Sequence, residues 1–101
     1  EAVNQSIKNI ILTNKGEVPF DPLFGSNISK MLFEKISIIS QRLIEEEIYT
    51  ALKNYEPRIT ITNVLVEPDE INLAYDIRIE YIINYLNAAA IFEASLKLQG
   101  V

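Results

Sequence analysis

The apolar residues near the start of the chain recur with helical spacing. Val3, Ile7, Ile10 and Ile11 stand at i, i+4, i+7 and i+8, with polar residues between them. This spacing is typical of one apolar stripe on an α-helix. The pattern predicts a first helix over residues 2–13.

The segment that follows cannot continue as a helix. Residues 14–25 contain two glycines and two prolines, and proline both fixes φ and removes a backbone donor. Phe20, Leu23 and Phe24 offer apolar anchors, so an ordered loop is expected. We expect Phe20 and Phe24 to be buried against the helices.

Two further helices are predicted before residue 57. Ser26 or Asn27 can cap a short helix over residues 27–33, and a longer one follows over residues 36–55, ended by Pro57. Apolar residues trace one face of the longer helix. They are Ile36, Ile39, Leu43, Ile44, Ile48, Ala51, Leu52 and Tyr55.

From Arg58 onward, apolar and polar residues alternate with period two, which is typical of strands. The phase slips at Asn63, which indicates a β-bulge, and residues 67–70 (EPDE) form a turn sequence. Three strands are predicted, over residues 58–66, 71–83 and 90–98.

Short connections between consecutive strands favour an antiparallel meander. Each strand has one apolar and one polar face, so the helices should cover a single face. The expected fold is α+β: a two-layer sandwich in which N-terminal helices pack on one face of a three-stranded antiparallel meander. The length of the chain favours a single domain over residues 1–101.

Composition excludes several classes of function. The chain is 49% hydrophobic and 23% charged, as in ordinary globular proteins. It has no cysteine and no histidine, which removes disulfides, thiolate metal sites and the commonest general base. A net charge of −5 argues against a nucleic-acid partner, and no apolar run approaches a membrane span. We expect a soluble protein with no metal, no cofactor and no membrane partner.

The remaining catalytic option is a pair of carboxylates, as in glycoside hydrolysis. Asp21, Glu34, Glu56 and Asp69 are nominal candidates, but 14 acidic residues will form pairs by chance, and no tryptophan is present to stack on a sugar. The acidic run at residues 45–47 is best interpreted as a solvated helix face. No catalytic residue is assigned, and a peptidoglycan hydrolase is retained only as the alternative to a non-enzyme.

The junction between the long helix and the first strand carries Glu56, Pro57 and Arg58. Pro57 forces Glu56 out of the α region, so the charged pair should sit on a defined corner. The plainer interpretation is a helix terminator with an exposed ion pair worth less than ~1 kcal/mol. An exposed arginine adds little to stability but offers several donors to a partner, so Arg58→Ala should leave the domain folded and weaken its incorporation into an assembly.

Three motifs in this order resemble those of the phage baseplate wedge family, which includes the type VI secretion baseplate wedge subunit. They are residues 19–25 (PFDPLFG), 32–34 (LFE) and 54–59 (NYEPRI). The resemblance implies a structural, non-catalytic protein of a contractile tail, although the family is often labelled lysozyme-like. It also implies that Glu56, Pro57 and Arg58 contact the helical core of the wedge, and that the sheet offers a docking site for the sheath.

The implied partners are other wedge proteins, the sheath protein and the tail tube, in many copies around a symmetric particle. The implied location is the baseplate of a virion tail, assembled in the host cytoplasm, or the cytoplasmic baseplate of a related injection system.

A three-stranded sheet also has two unpaired edges, which are templates for strand addition. The last predicted strand has two charged residues and no proline, so it is weakly protected. We expect it to accept a strand of the sheath protein, unless terminal residues or a loop shield it or the opposite edge is used. The residues of this expected site are Phe92, Glu93, Ala94, Ser95, Leu96, Lys97 and Leu98.

Overall fold

The computed structural model describes residues 2–99. Three helices precede three strands, and the strands form one sheet in the order β1-β2-β3 with both pairs antiparallel. This confirms the predicted α+β meander. Within residues 2–99, no helix is long and apolar enough to cross a membrane. The elements are α1 (Ala2–Leu12), α2 (Ile28–Met31), α3 (Ile38–Tyr55), β1 (Ile59–Asp69), β2 (Ala74–Ile83) and β3 (Ala88–Lys97).

The hydrophobic core lies between the helices and one face of the sheet. Every second residue of β2 is buried, from Tyr75 to Ile83, because side chains alternate across a strand. The predicted stripe of α1 is buried as well, and the hydroxyl of Tyr81 on β2 donates to the side chain of Asn4 on α1. With α3 packed against β1, the helices cover a single face, as expected.

The apolar stripe of α3 differs from the predicted one. Ser37 caps the helix by accepting the N–H of Ser40 at 3.0 Å, so the helix starts at Ile38 rather than at residue 36. Ile39 and Leu43 are exposed and fall outside the stripe; a step of one residue turns a helix by about 100°, which carries them off the core-facing line. The buried residues are Ser40, Ile44, Ile48, Ala51 and Leu52.

The turn between β1 and β2 lies further along the chain than predicted. Pro68 and Asp69 pair within β1, and the bend occupies residues 70–73, with Leu73 at a φ of 51°. Asp69 closes the turn by accepting the backbone N–H of Asn72 at 3.1 Å and its side-chain amide at 2.7 Å. Ile71 is therefore an exposed turn residue, not the start of β2.

The predicted bulge is confirmed. The register of β1 against β2 shifts between Ile61 and Asn63, which leaves Thr62 as the extra residue. The last strand begins at Ala88 and ends at Lys97, two residues and one residue earlier than predicted. Leu98 lies outside β3, although its N–H still donates to the carbonyl of Leu73 at 2.8 Å.

The loop after α1 is ordered, as expected. The N–H of Ser26 donates to the carbonyl of Thr13 at 2.9 Å, and the Ser26 hydroxyl donates to the carbonyl of Ile11 at 2.7 Å. Gly25 makes this closure possible, because its φ is 105° and a Cβ there would lie 2.3 Å from the Thr13 oxygen. The two ends of the loop are thus fastened to each other.

Candidate interaction surfaces

The corner between α3 and β1 is built around a buried carboxylate. Glu56 caps α3, and its N–H donates to the carbonyl of Leu52 at 2.8 Å. Its side chain is only 2% exposed. The Nε of Arg58 donates to Oε2 of Glu56 and its Nη2 donates to Oε1, each at 2.8 Å. These hydrogen bonds lower the pKa of Glu56, although its burial acts in the opposite direction, and a further side-chain hydrogen bond from Ser6 also lowers it.

This geometry corrects the interpretation of the corner as an exposed ion pair. The Arg58 side chain is 44% exposed, but the carboxylate that it neutralises is not. Removing Arg58 would leave a buried charge uncompensated, which is costly. The outward surface of the corner consists of Pro57, which is exposed, and the outer part of Arg58.

The register of the sheet shows which backbone groups of β3 face outward. The N–H of Leu98 donates to Leu73, and bonded pairs alternate along an antiparallel ladder. Phe92, Ala94 and Leu96 therefore direct their N–H groups at β2. The N–H groups of the residues between them, including Glu93 and Ser95, point away from the sheet.

The side chains of β3 follow the same alternation. Phe92 and Leu96 are buried, whereas Glu93, Ser95 and Lys97 are exposed. The carboxylate of Glu93 lies 3.2 Å from Nη1 of Arg78 on β2. The candidate strand thus has one face fixed in the core and the other accessible, and Leu98 lies beyond its end.

Phe20 is exposed, contrary to our prediction. The N–H of Asp21 donates to the carbonyl of Val18 at 3.1 Å, which places Phe20 at the tip of a tight turn, and the ring is 98% exposed. Phe24 is partly rather than fully buried, and it packs edge-to-face on Tyr55 with 5.0 Å between ring centroids. Asp21 also hydrogen bonds with Tyr55, whose pKa is raised chiefly by burial and further by Asp21.

The acidic run of α3 divides between two environments. Glu47 accepts the N–H of Asn27 at 2.8 Å and lies 3.7 Å from Nζ of Lys15. Glu45 and Glu46 lie toward β1, where they line a surface groove. The predicted solvated face is therefore limited to part of the run.

Two of the four nominal catalytic carboxylates, Glu56 and Asp69, have lowered pKa values. Within residues 2–99, no group of three or more acidic residues could hold a metal ion. The pKa of Asp69 is lowered by hydrogen bonds from Asn72, as that of Glu56 is by Arg58. A general acid needs a shift in the opposite direction.

Comparison with known proteins places these features in a family. The family model of the baseplate wedge protein gp25 matches residues 1–88. Baseplate wedge protein gp25 of Enterobacteria phage T4 is 39% identical over 85 residues, which cover 82% of this chain. The matched region spans 64% of the length of that relative.

Solved structures share the fold. A Geobacter sulfurreducens protein, provisionally named a tail lysozyme, superposes with a TM-score of 0.89 at 31% identity, over 97% of this chain and 89% of its own. A chain of a type VI secretion system baseplate complex superposes with a TM-score of 0.78 at 17% identity, over 97% of this chain and 92% of its own. A chain of the postcontracted pyocin R2 baseplate superposes with a TM-score of 0.62 at 19% identity, over 95% of this chain and 82% of its own. From the extent of the family match and the identity to the T4 protein, this chain belongs to the baseplate wedge protein gp25 family.

Proposed function

We propose that this chain is a structural component of a contractile-tail baseplate and starts sheath polymerisation by accepting a strand of the sheath protein on β3. Its family supports the baseplate role. The outer edge of β3 carries the argument for strand addition, since Glu93 and Ser95 direct backbone N–H groups outward and no proline interrupts the strand. Pairing with an incoming strand would satisfy these groups without a deep binding site.

The proposed partners follow from this role. They are other baseplate components, the sheath protein and the tail tube, with several copies of this chain around the particle axis. The proposed location is the baseplate of a virion tail assembled in the host cytoplasm, or the cytoplasmic baseplate of a related injection system.

The corner supports a second contact, with the helical core of the wedge. Glu56 holds the Arg58 guanidinium by two hydrogen bonds of 2.8 Å. A side chain that is already oriented loses less conformational entropy on binding. In this proposal Pro57 and Arg58 touch the partner, and Glu56 keeps them in position.

Peptidoglycan hydrolysis has no comparable support. Glu56 is buried and paired, and the pKa values of both Glu56 and Asp69 are lowered. Glycoside hydrolysis requires one carboxylic acid whose pKa is raised. The name of the Geobacter sulfurreducens protein does not by itself give this chain an activity, because one fold can carry many functions.

Proline substitution in β3 tests the proposed sheath contact. Ser95→Pro removes an outward-facing N–H and should block sheath formation while tube and baseplate still assemble. Ser95→Ala keeps the donor and should support normal sheaths, as should Glu93→Gln. Electron microscopy of particles carrying each variant gives the result.

The fold of each variant is checked by thermal unfolding of the isolated chain. Ala94→Pro serves as the contrasting variant, because the N–H of Ala94 faces β2 and its loss removes a hydrogen bond between the two strands. The Tm of Ala94→Pro should therefore be well below that of Ser95→Pro. If Ser95→Pro folds and the particles carry normal sheaths, the assignment of the sheath contact to β3 is wrong.

A further inference from the structure

The opposite edge of the sheet forms a groove with α3. A cavity of about 490 Å³ runs between Glu45, Glu46 and Tyr49 of α3 and Ile61, Thr62 and Val64 of β1. A second cavity, of about 270 Å³, shares Tyr49 and Ile61 and extends to Lys53 and Pro57. The two cavities are neighbours along β1 between the corner and the bulge, and the surface that they form is here called the β1–α3 groove.

The backbone of β1 presents hydrogen-bonding groups at this groove. Since Leu73 and the odd-numbered residues after it in β2 bond with β3, the even-numbered residues bond with β1. Their partners in β1 include Thr60 and Leu65. Ile59, Ile61 and Val64 therefore direct their N–H and C=O groups away from β2, toward the open side of the strand.

Proline limits how far this edge can pair. Pro68 occupies an outward position of β1, where no N–H is needed for the ladder with β2. It cannot donate to an added strand. A segment that pairs with β1 is thereby restricted to the stretch before Pro68, which is the stretch that borders the groove.

The wall formed by α3 is acidic at the end near the bulge. Among residues 2–99, neither Glu45 nor Glu46 belongs to a salt bridge. At the other end, Nζ of Lys53 lies 5.9 Å from the centre of the Tyr49 ring. The charge along the groove thus changes sign, with the negative end beside Val64. An occupant with basic side chains at that end would be complementary to it.

We propose that the β1–α3 groove binds an extended, lysine- or arginine-bearing segment of another protein chain. Its main chain pairs with Ile59, Ile61 and Val64, and its basic side chains face Glu45 and Glu46. An edge strand beside a helix is a known geometry for peptide binding by strand addition. This inference does not depend on the assignment of the sheath to β3, because the two edges lie on opposite sides of the sheet.

The test uses capped hexapeptides titrated into the ¹⁵N-labelled chain. A peptide of alternating lysine and valine should shift the amide signals of residues 45–53 and 59–66. The same peptide with glutamate in place of lysine should bind more weakly, and N-methylation of alternate residues should abolish binding, because it removes the main-chain donors.

Variants of the chain separate the groove from other surfaces. Replacing both Glu45 and Glu46 with glutamine should weaken the binding of the lysine peptide by about three- to tenfold, as expected for two charges at the surface. Glu93→Gln and Ser95→Pro alter only the β3 edge and should leave the affinity unchanged.

Three results would overturn the proposal: no shift of groove amides at millimolar peptide, shifts confined to residues 91–97, or equal affinity for the lysine and glutamate peptides. The sheath contact at β3 is tested separately by particles that carry Ser95→Pro, so the two proposals fail separately.

Discussion

Replacing Arg58 with alanine tests whether the buried carboxylate of Glu56 depends on its partner. The change removes two hydrogen bonds of 2.8 Å from a side chain that is 2% exposed. Removing one member of a fully buried pair costs about 3–5 kcal/mol. Because Arg58 is itself 44% exposed, water can partly replace it, and we expect a loss of about 2 kcal/mol. For a domain of this size, that lowers the Tm by about 8–16 °C.

The loss should depend on pH in a defined direction. The pKa of Glu56 is lowered in the folded state, chiefly by Arg58. Its contribution to stability is therefore present above the ordinary glutamate pKa of about 4.3 and is lost as pH falls through the lower folded value. The Arg58→Ala variant lacks this contribution. The difference in the free energy of unfolding between wild type and variant should be largest near neutral pH. It should decrease below about pH 4 as Glu56 takes up a proton.

Urea unfolding at pH 7 and pH 3.5 measures both effects. Arg78→Ala is the matched control, because Arg78 pairs with two exposed carboxylates, those of Glu80 (40% exposed) and Glu93 (67% exposed). This variant should change the free energy of unfolding by less than about 0.5 kcal/mol. Adding Glu56→Gln to Arg58→Ala should restore part of the loss at pH 7. The reasoning fails if Arg58→Ala is as mild as Arg78→Ala, or if its deficit is equal at the two pH values.

Two further predictions concern the loop after α1. Phe24→Ala should lower the free energy of unfolding by about 1–3 kcal/mol, because the half-buried ring packs on α3, whereas Phe20→Ala should change it by less than about 0.5 kcal/mol; equal losses in urea unfolding would contradict this. Gly25→Ala should lower the Tm more than Gly16→Ala. Both glycines have positive φ, but only at Gly25 would the new Cβ lie 2.3 Å from the Thr13 oxygen, and equal melting temperatures would count against the proposed closure.

Most elements of the fold could be predicted because their signals are local. The period of α1, the alternation in β2 and the change of phase at Asn63 each follow from a few neighbouring residues. The misplaced turn has a specific cause. Pro68 and Asp69 are common in turns, yet Pro68 is also compatible with an outward position on an edge strand, and the sequence alone does not show which edges are free.

The errors in the candidate surfaces arise from burial, which depends on distant residues. Glu56 and Arg58 lie two residues apart on a corner, yet their side chains are 2% and 44% exposed. The hydrogen bond from Ser6 of α1 to the carboxylate joins residues that are far apart in the sequence. Phe20 and Phe24 carry the same side chain within one loop, and the turn from Val18 to Asp21 separates their environments. The sequence did not predict the groove beside β1, because its two walls, one side of α3 and the edge of β1, come together only in the folded chain.

The outward edge of β3 also affects how free copies of the chain behave. If two copies pair β3 antiparallel about Ser95, Glu93 of each lies opposite Lys97 of the other, which places opposite charges across the pair. An edge that is open to an incoming strand is therefore also self-complementary. Self-association rises with concentration, so unassembled chains would compete with the proposed partner for the same backbone groups. Under the proposed strand addition, the order and stoichiometry of assembly would decide whether β3 pairs with a neighbouring protein or with a second copy of this chain.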